Sequence, residues 1–252
     1  MKFKINSATY FLILSFLLTG LIKNIILIYL IVITHELGHV LIIKKLKYKI
    51  TKIEIYPMGG ITSIDKKINT KISHELLISI FGIIFQIILF CIMYILYKNN
   101  LIRDNTYNLF NSYNKTIMIF NLLPIIPLDG YIFLRSILEY IFSYKKTYYI
   151  SLIISIISII LFITYNEIFS LNNYLIISFL IYKIVTSIKE FKYIYMRFLT
   201  ERYLYDLPKY KFKYENKINI NLLKKDTYHY FKKESRVYSE KKLLNEIFKY
   251  NK

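Results

Sequence analysis

Six predominantly apolar segments divide this chain, at about 8–22, 24–43, 73–97, 113–141, 148–164 and 172–190. A run of ~20 apolar residues matches the hydrocarbon thickness of a bilayer, and only helices and closed barrels satisfy their backbone there. The fold class expected is an all-α polytopic membrane protein with about six transmembrane helices. The first and fifth runs are short, and the fourth is interrupted by Pro124 and Pro127. Composition agrees: 55% of residues are hydrophobic, 17% are aromatic and mean hydropathy is +0.38. The first run follows Lys2 and Lys4 and has no small-x-small cleavage site. It reads as an uncleaved helix rather than a signal peptide. The single cysteine, Cys91, sits in an apolar run, which excludes a disulfide framework and a cysteine-based zinc site.

Charge orients the helices. Lysines 44, 45, 47, 49, 52, 66, 67 and 71 lie between the second and third segments, Lys145 and Lys146 follow the fourth, and the end of the chain is rich in Lys and Arg. The other side receives Lys23, Lys98, Arg103, Asp104 and Glu167. The positive-inside rule then puts both termini in the cytoplasm. The net charge of +19 accompanies an abundance of Ile, Lys, Asn and Tyr that an AT-rich genome accounts for, so no nucleic-acid partner is inferred. Residues 1–190 form the membrane part and 191–252 a basic cytoplasmic tail that reads as a small folded or partly folded appendage, either held near anionic headgroups or simply solvated. "TKIEIYPMGGITSI", 51–64, alternates around Gly59 and Gly60. It reads as a small membrane-associated β-hairpin with those glycines in the turn, or as an ordinary loop.

The chemistry is concentrated in the second segment, "IVITHELGHVLII". His35 and His39 are four apart, which on a helix places them one turn apart on one face, within reach of one metal ion. Two neutral imidazoles suit one Zn²⁺ per chain and leave room for a third ligand and a water. Glu36 is placed to accept a proton from that water, the H-E-x-x-H arrangement. Gly38 permits close approach of another helix. Ionisable groups inside a membrane helix are costly and need a partner or a wet cavity. His35 lies eight residues before Ile43, on the order of 12 Å below the cytoplasmic surface at ~1.5 Å per residue.

A hydrolytic zinc site needs a third protein ligand. Asp129 in "NLLPIIPLDG" is an acid beside two prolines that break the helix, as backbone lining a cavity does; L-D-G also suits a plain turn. Glu139 is a rival near the basic end. "SHELL" at 73–77 has Ile78 where a second histidine would stand, so Ser73 reads as a helix cap and Glu75 as a dipole partner. His229 has no metal-spaced neighbour and reads as a surface residue.

HELGH in an early membrane helix followed by N-x-x-P-x-x-P-x-D-G, at Asn121, Pro124, Pro127, Asp129 and Gly130, resembles the site-2 protease family of intramembrane zinc metalloproteases. The resemblance covers roughly residues 1 to 190. It implies that Asp129 is the third zinc ligand with His35 and His39, that Glu36 is the catalytic base, and that Asn121 lines the cavity and stabilises the oxyanion. "YPMGGITS" is similar to the family's membrane-associated β-loop, which implies that Gly59, Gly60 and Ile61, with Pro124 and Pro127, position an extended substrate. A G-P-x-x-N element of many members is altered here: Gly82 is kept, but Ile83 and Gln86 replace the proline and asparagine. Within the family, "MGG", "FNLLPIIPLDG" and "ERYLY" (201–205) are most like the compact sporulation proteases of endospore-forming bacteria. That likeness implies a membrane-associated substrate, the precursor of sigma factor K, and membrane inhibitor or regulatory proteins. It places the enzyme in the mother-cell membrane around the forespore. The other readings are a general site-2 protease cutting an anti-sigma factor or remnant signal peptides, and an inactive membrane scaffold. Such sporulation proteases carry a nucleotide-binding CBS domain; the tail here is long enough only for a truncated remnant.

Overall fold

The computed structural model describes residues 2–5, 9–10, 14, 18–56, 59–165, 171–205, 211–233 and 236–250. The first apolar segment, 8–22, falls largely outside them. The elements in order are β1 (Lys2–Ile5), α1 (Ile22–Lys45), β2 (Lys49–Tyr56), β3 (Gly59–Asp65), α2 (Ile72–Lys98), α3 (Asp104–Leu122), α4 (Asp129–Ile141), α5 (Tyr144–Tyr165) and α6 (Leu171–Leu204). Then come β4 (Phe212–Glu215), a 3₁₀ turn (Ile220–Leu222), β5 (Tyr228–Lys233), β6 (Arg236–Ser239) and α7 (Glu240–Tyr250). Among the described residues three helices, Ile22–Lys45, Ile72–Lys98 and Tyr144–Thr164, are long and apolar enough to cross a membrane. Rows of exposed isoleucines on them, such as Ile88, Ile92 and Ile95 on α2 and Ile153, Ile157 and Ile160 on α5, suit lipid contact.

Two compact units share the chain: 1–66 with 77–123, and 67–76 with 124–252. In the first, Leu27, Ile31, Leu89, Met93 and Phe110 of α1, α2 and α3 form a core. The long apolar helices stop where the backbone can turn. After α1, Lys47 takes φ 60°, its N–H bonds to Lys44 O, and Tyr48 N–H bonds to Ile43 O at 3.1 Å. After α2, Asn100 at φ 59° and Leu101 repeat the pattern. Both are Schellman-type ends made without glycine, with Tyr48 packed near Ile43 as the motif prefers.

The hairpin is present, with β2 and β3 antiparallel, but its turn is not where the glycines are. Tyr56 pairs with Gly59 and Ile55 with Gly60, so both glycines belong to strand β3. The connecting Pro57 and Met58 lie outside the described residues. β1 adds to β2 in parallel, Phe3 opposite Ile53, giving the order β1-β2-β3 with β3 at an edge.

In the second unit α6 runs unbroken for 34 residues, ~51 Å at 1.5 Å per residue, well past position 190. Beyond it the described residues 211–233 and 236–250 form a small folded module rather than a solvated tail. β4 and β5 are parallel, β5 and β6 antiparallel. Phe191, Phe198, Leu199, Leu223, Phe231, Leu243 and Leu244 bury together with Tyr144 and Tyr148 of α5. Tyr148 stacks on Phe191 and Tyr144 on Phe198, contacts worth about 0.5–1.5 kcal/mol each beyond their burial.

Candidate metal centre

His35 and His39 are both buried on α1, and their Nε2 atoms are 3.0 Å apart. Two ligands at ~2.05 Å on one tetrahedral zinc lie roughly 3.3 Å apart, so the spacing suits a shared ion. Each ring is held through its other nitrogen. His39 Nδ1 lies 2.7 Å from the Ile78 carbonyl oxygen, and His35 Nδ1 lies 3.0 Å from Gln86 Oε1. With an oxygen at each Nδ1, the two Nε2 atoms face each other at a spacing that a shared cation would stabilise. Glu36 is half-buried beside them, and ligand atoms of His35, Glu36 and His39 all lie within 4.8 Å of one another.

Two glycines let the helices approach this closely. A Cβ on Gly82 would stand 2.5 Å from His39 Nε2 and 2.7 Å from His35 Nε2, filling the space beside the ligating atoms. A Cβ on Gly38 would strike the backbone carbonyl of Phe81. The donor set, the facing Nε2 atoms and the space beside Gly82 that a Cβ would fill together fit zinc.

The remaining site residues distribute as follows. Asn121 is half-buried near the end of α3, in the same unit as the histidines. Asp129 begins α4 in the second unit, after a turn in which Leu128 N–H bonds to Ile125 O at 2.7 Å. Pro124 and Pro127 break the helix as expected, and the Ile126 N–H in this non-helical stretch is satisfied by Ser155 Oγ of α5 at 2.8 Å. Glu139 is committed elsewhere: it is buried and pairs with Arg135 at 3.1 Å and Lys225 at 3.0 Å. Gly59, Gly60 and Ile61 lie on β3, with Ile61 opposite Glu54.

Sequence reading missed Gln86, which looked like a loss from a motif yet is fully buried against His35. Its one local signal was a lone amide in an apolar helix. Two other expectations are corrected. His229 is completely buried, its Nδ1 3.6 Å from Glu240 Oε2, because β5 packs it under α7. The first backbone donor of α2, Ile72 N–H, is capped at 2.9 Å by Asp226 and not by Ser73, while Glu75 pairs with Lys225 at 2.8 Å.

Residues 23–103 match the profile of Peptidase family M50. Over 190 residues the chain is 29% identical to Stage IV sporulation protein FB of Bacillus subtilis, covering 74% of this chain and 66% of that protein. Over 125 residues it is 34% identical to a zinc metalloprotease of Methanocaldococcus jannaschii, 48% of this chain and 36% of that one. A solved structure, the site-2 protease from Methanocaldococcus jannaschii, superposes with a TM-score of 0.50 at 24% identity, covering 83% of this chain and 95% of that one. Over residues 23–103 the chain is thus similar to peptidase family M50, and its fold is like that of a site-2 protease. Three helices long and apolar enough to cross a membrane, and a His-Glu-His group able to hold a metal ion, are consistent with that likeness. The chain spans about two thirds and about a third of the two curated relatives it matches.

Proposed function

We propose that this chain is an intramembrane zinc endopeptidase that hydrolyses one peptide bond of a membrane-associated protein, with His35, His39 and Asp129 as metal ligands and Glu36 as the base. The observation that carries the reading is the facing Nε2 pair of His35 and His39, 3.0 Å apart, with Glu36 beside it and no side chain at Gly82 to fill the space. Bound zinc supplies a Lewis acid that polarises the scissile carbonyl and acidifies water toward pKa ~7. Glu36 takes the proton of the attacking water and returns it to the leaving amine. Asn121 donates to the developing oxyanion. β3, as an edge strand, takes up the unwound substrate by strand addition, with Gly59 and Gly60 allowing close approach.

The topology proposed is six crossings with both termini cytoplasmic, residues 1–190 forming the protease and 191–252 its appendage. Pairing of β1 with β2 supports an even number of crossings between residues 5 and 49. The ion pairs of Lys225 with Glu75 and Glu139 support one common side for the start of α2, the end of α4 and the tail. Likeness to the sporulation protein favours a pro-sigma factor K precursor as substrate, at the mother-cell membrane. The match to an archaeal zinc metalloprotease favours the alternative of a general site-2 protease.

Co-expression with a candidate pro-sigma factor tests the reading. Wild type should convert the precursor, and Glu36→Gln should leave it intact. Equal processing by the variant rejects the mechanism. Ile61→Pro should cut conversion by about tenfold or more if the edge strand holds the substrate, since proline removes a ladder donor. Unchanged conversion by a folded variant removes that role.

A further inference from the structure

One stripe of α2 faces the two ligand histidines. Ile78, Gly82 and Gln86 recur every four residues, and each meets the metal centre differently: a carbonyl at His39, an open space, and an amide at His35. The carbonyl can only accept, so it sets His39 as the Nδ1–H tautomer with Nε2 left to ligate. The amide is ambivalent. Turned one way it accepts from His35 Nδ1–H; turned the other it donates to Nδ1 and puts the proton on Nε2, the atom that must bind metal.

The choice is made one residue further out. Gln86 Nε2 lies 3.3 Å from Asn114 Oδ1 on α3, and both residues are buried. With its NH₂ donated to Asn114, Gln86 presents its oxygen to His35 at 3.0 Å. We propose that Gln86 is a positioning residue for the metal centre: its carbonyl oxygen, oriented by Asn114, holds His35 in the Nδ1–H tautomer and keeps Nε2 as the ligating atom. The proposal rests on the reading of His35 and His39 as metal ligands and is independent of what the enzyme cuts. A buried amide also serves here better than an apolar residue of like size, which would leave Nδ1–H without an acceptor.

The test uses full-length, metal-free protein in detergent micelles with ¹⁵N-labelled histidine. The chain has four histidines, so His35 is assignable by a His35→Gln difference spectrum. The expected result is a His35 ring protonated on Nδ1 in wild type and in Gln86→Glu, and a shift of the population toward Nε2–H in Gln86→Leu and Asn114→Leu. Zinc affinity, read by competition with a chromophoric chelator, should fall about 10–100-fold in Gln86→Leu and recover in Gln86→Glu. A wild-type His35 protonated on Nε2 overturns the proposal, as does a folded Gln86→Leu with wild-type zinc affinity. An unchanged tautomer in Asn114→Leu overturns the role of Asn114, and that variant keeps the test open should Gln86→Leu fail to fold. Protein that shows the expected tautomer and zinc affinity but processes no substrate refutes the protease reading alone.

Discussion

At the scale of single residues, the centre depends as much on a side chain that is missing as on those present. Gly82 leaves the volume beside both Nε2 atoms open, where a methyl would stand 2.5 to 2.7 Å from ring atoms. Gly82→Ala should therefore lower zinc content of the purified protein by about tenfold or more, as losses of supporting contacts at metal sites do, while circular dichroism keeps its helical signal. Full zinc occupancy in that variant would show that the rings have room to move aside. H-E-x-x-H identified His35, Glu36 and His39 from spacing alone, because helix periodicity puts i and i+4 together whatever the rest of the chain does. Nothing local marks Gln86 as their partner: it is 51 positions from His35, and only the packing of α2 on α1 brings the amide to the ring.

At the scale of elements, the tail is held to the long helices before it by buried charges. Arg202 of α6 pairs with Glu240 at the start of α7 through both guanidinium and carboxylate edges, and also donates to Lys224 O and Thr227 O at 2.9 and 2.6 Å. Burial opposes ionisation of Glu240, but the His229 imidazole, the bonds from Arg202 and the charge of Arg202 outweigh it and hold the carboxyl below its ordinary value of 4.5. A lowered carboxyl stabilises the fold above its unfolded pKa, and that contribution is lost as pH falls through the folded one. Resistance of the tail to limited proteolysis should thus stay level from neutral pH down to about 4.5 and drop below it. Glu240→Gln should flatten that drop. Arg202→Met should destabilise the tail by about 3–5 kcal/mol at neutral pH, because it strands a buried carboxylate. Protease patterns identical to wild type would contradict this. Lys225 is enclosed in the same manner: burial works against its charge, and Glu139 and Glu75 more than compensate, holding the ammonium above its ordinary range. The basic composition of the tail was plain in the sequence. Which of its charges are buried and paired was not, since burial is decided by residues more than a hundred positions away, as with Glu75 and Lys225.

At the scale of the whole molecule, membrane topology is the property most open to direct test. Cys91 is the one native cysteine, so a Cys91→Ser background accepts single reporter cysteines. Lys217→Cys in the tail and Asn105→Cys at the start of α3, both exposed positions, should react with a membrane-impermeant thiol reagent from opposite sides of the bilayer. Labelling of both from one side would remove the six-crossing arrangement.

The sequence by itself determined the elements whose signal is periodic or local. These are the apolar helices, the interruption at Pro124 and Pro127, the hairpin, and the i, i+4 pair His35 and His39 with Glu36 between them. Each follows from backbone geometry over a few residues. Only the tertiary structure decided what those elements meet: Gln86 and Asn114 behind His35, Asp226 on the first turn of α2, β1 beside β2, and His229 beneath α7. A hydrogen-bond partner or a buried position is a property of two distant stretches packed together, and neither stretch carries it alone.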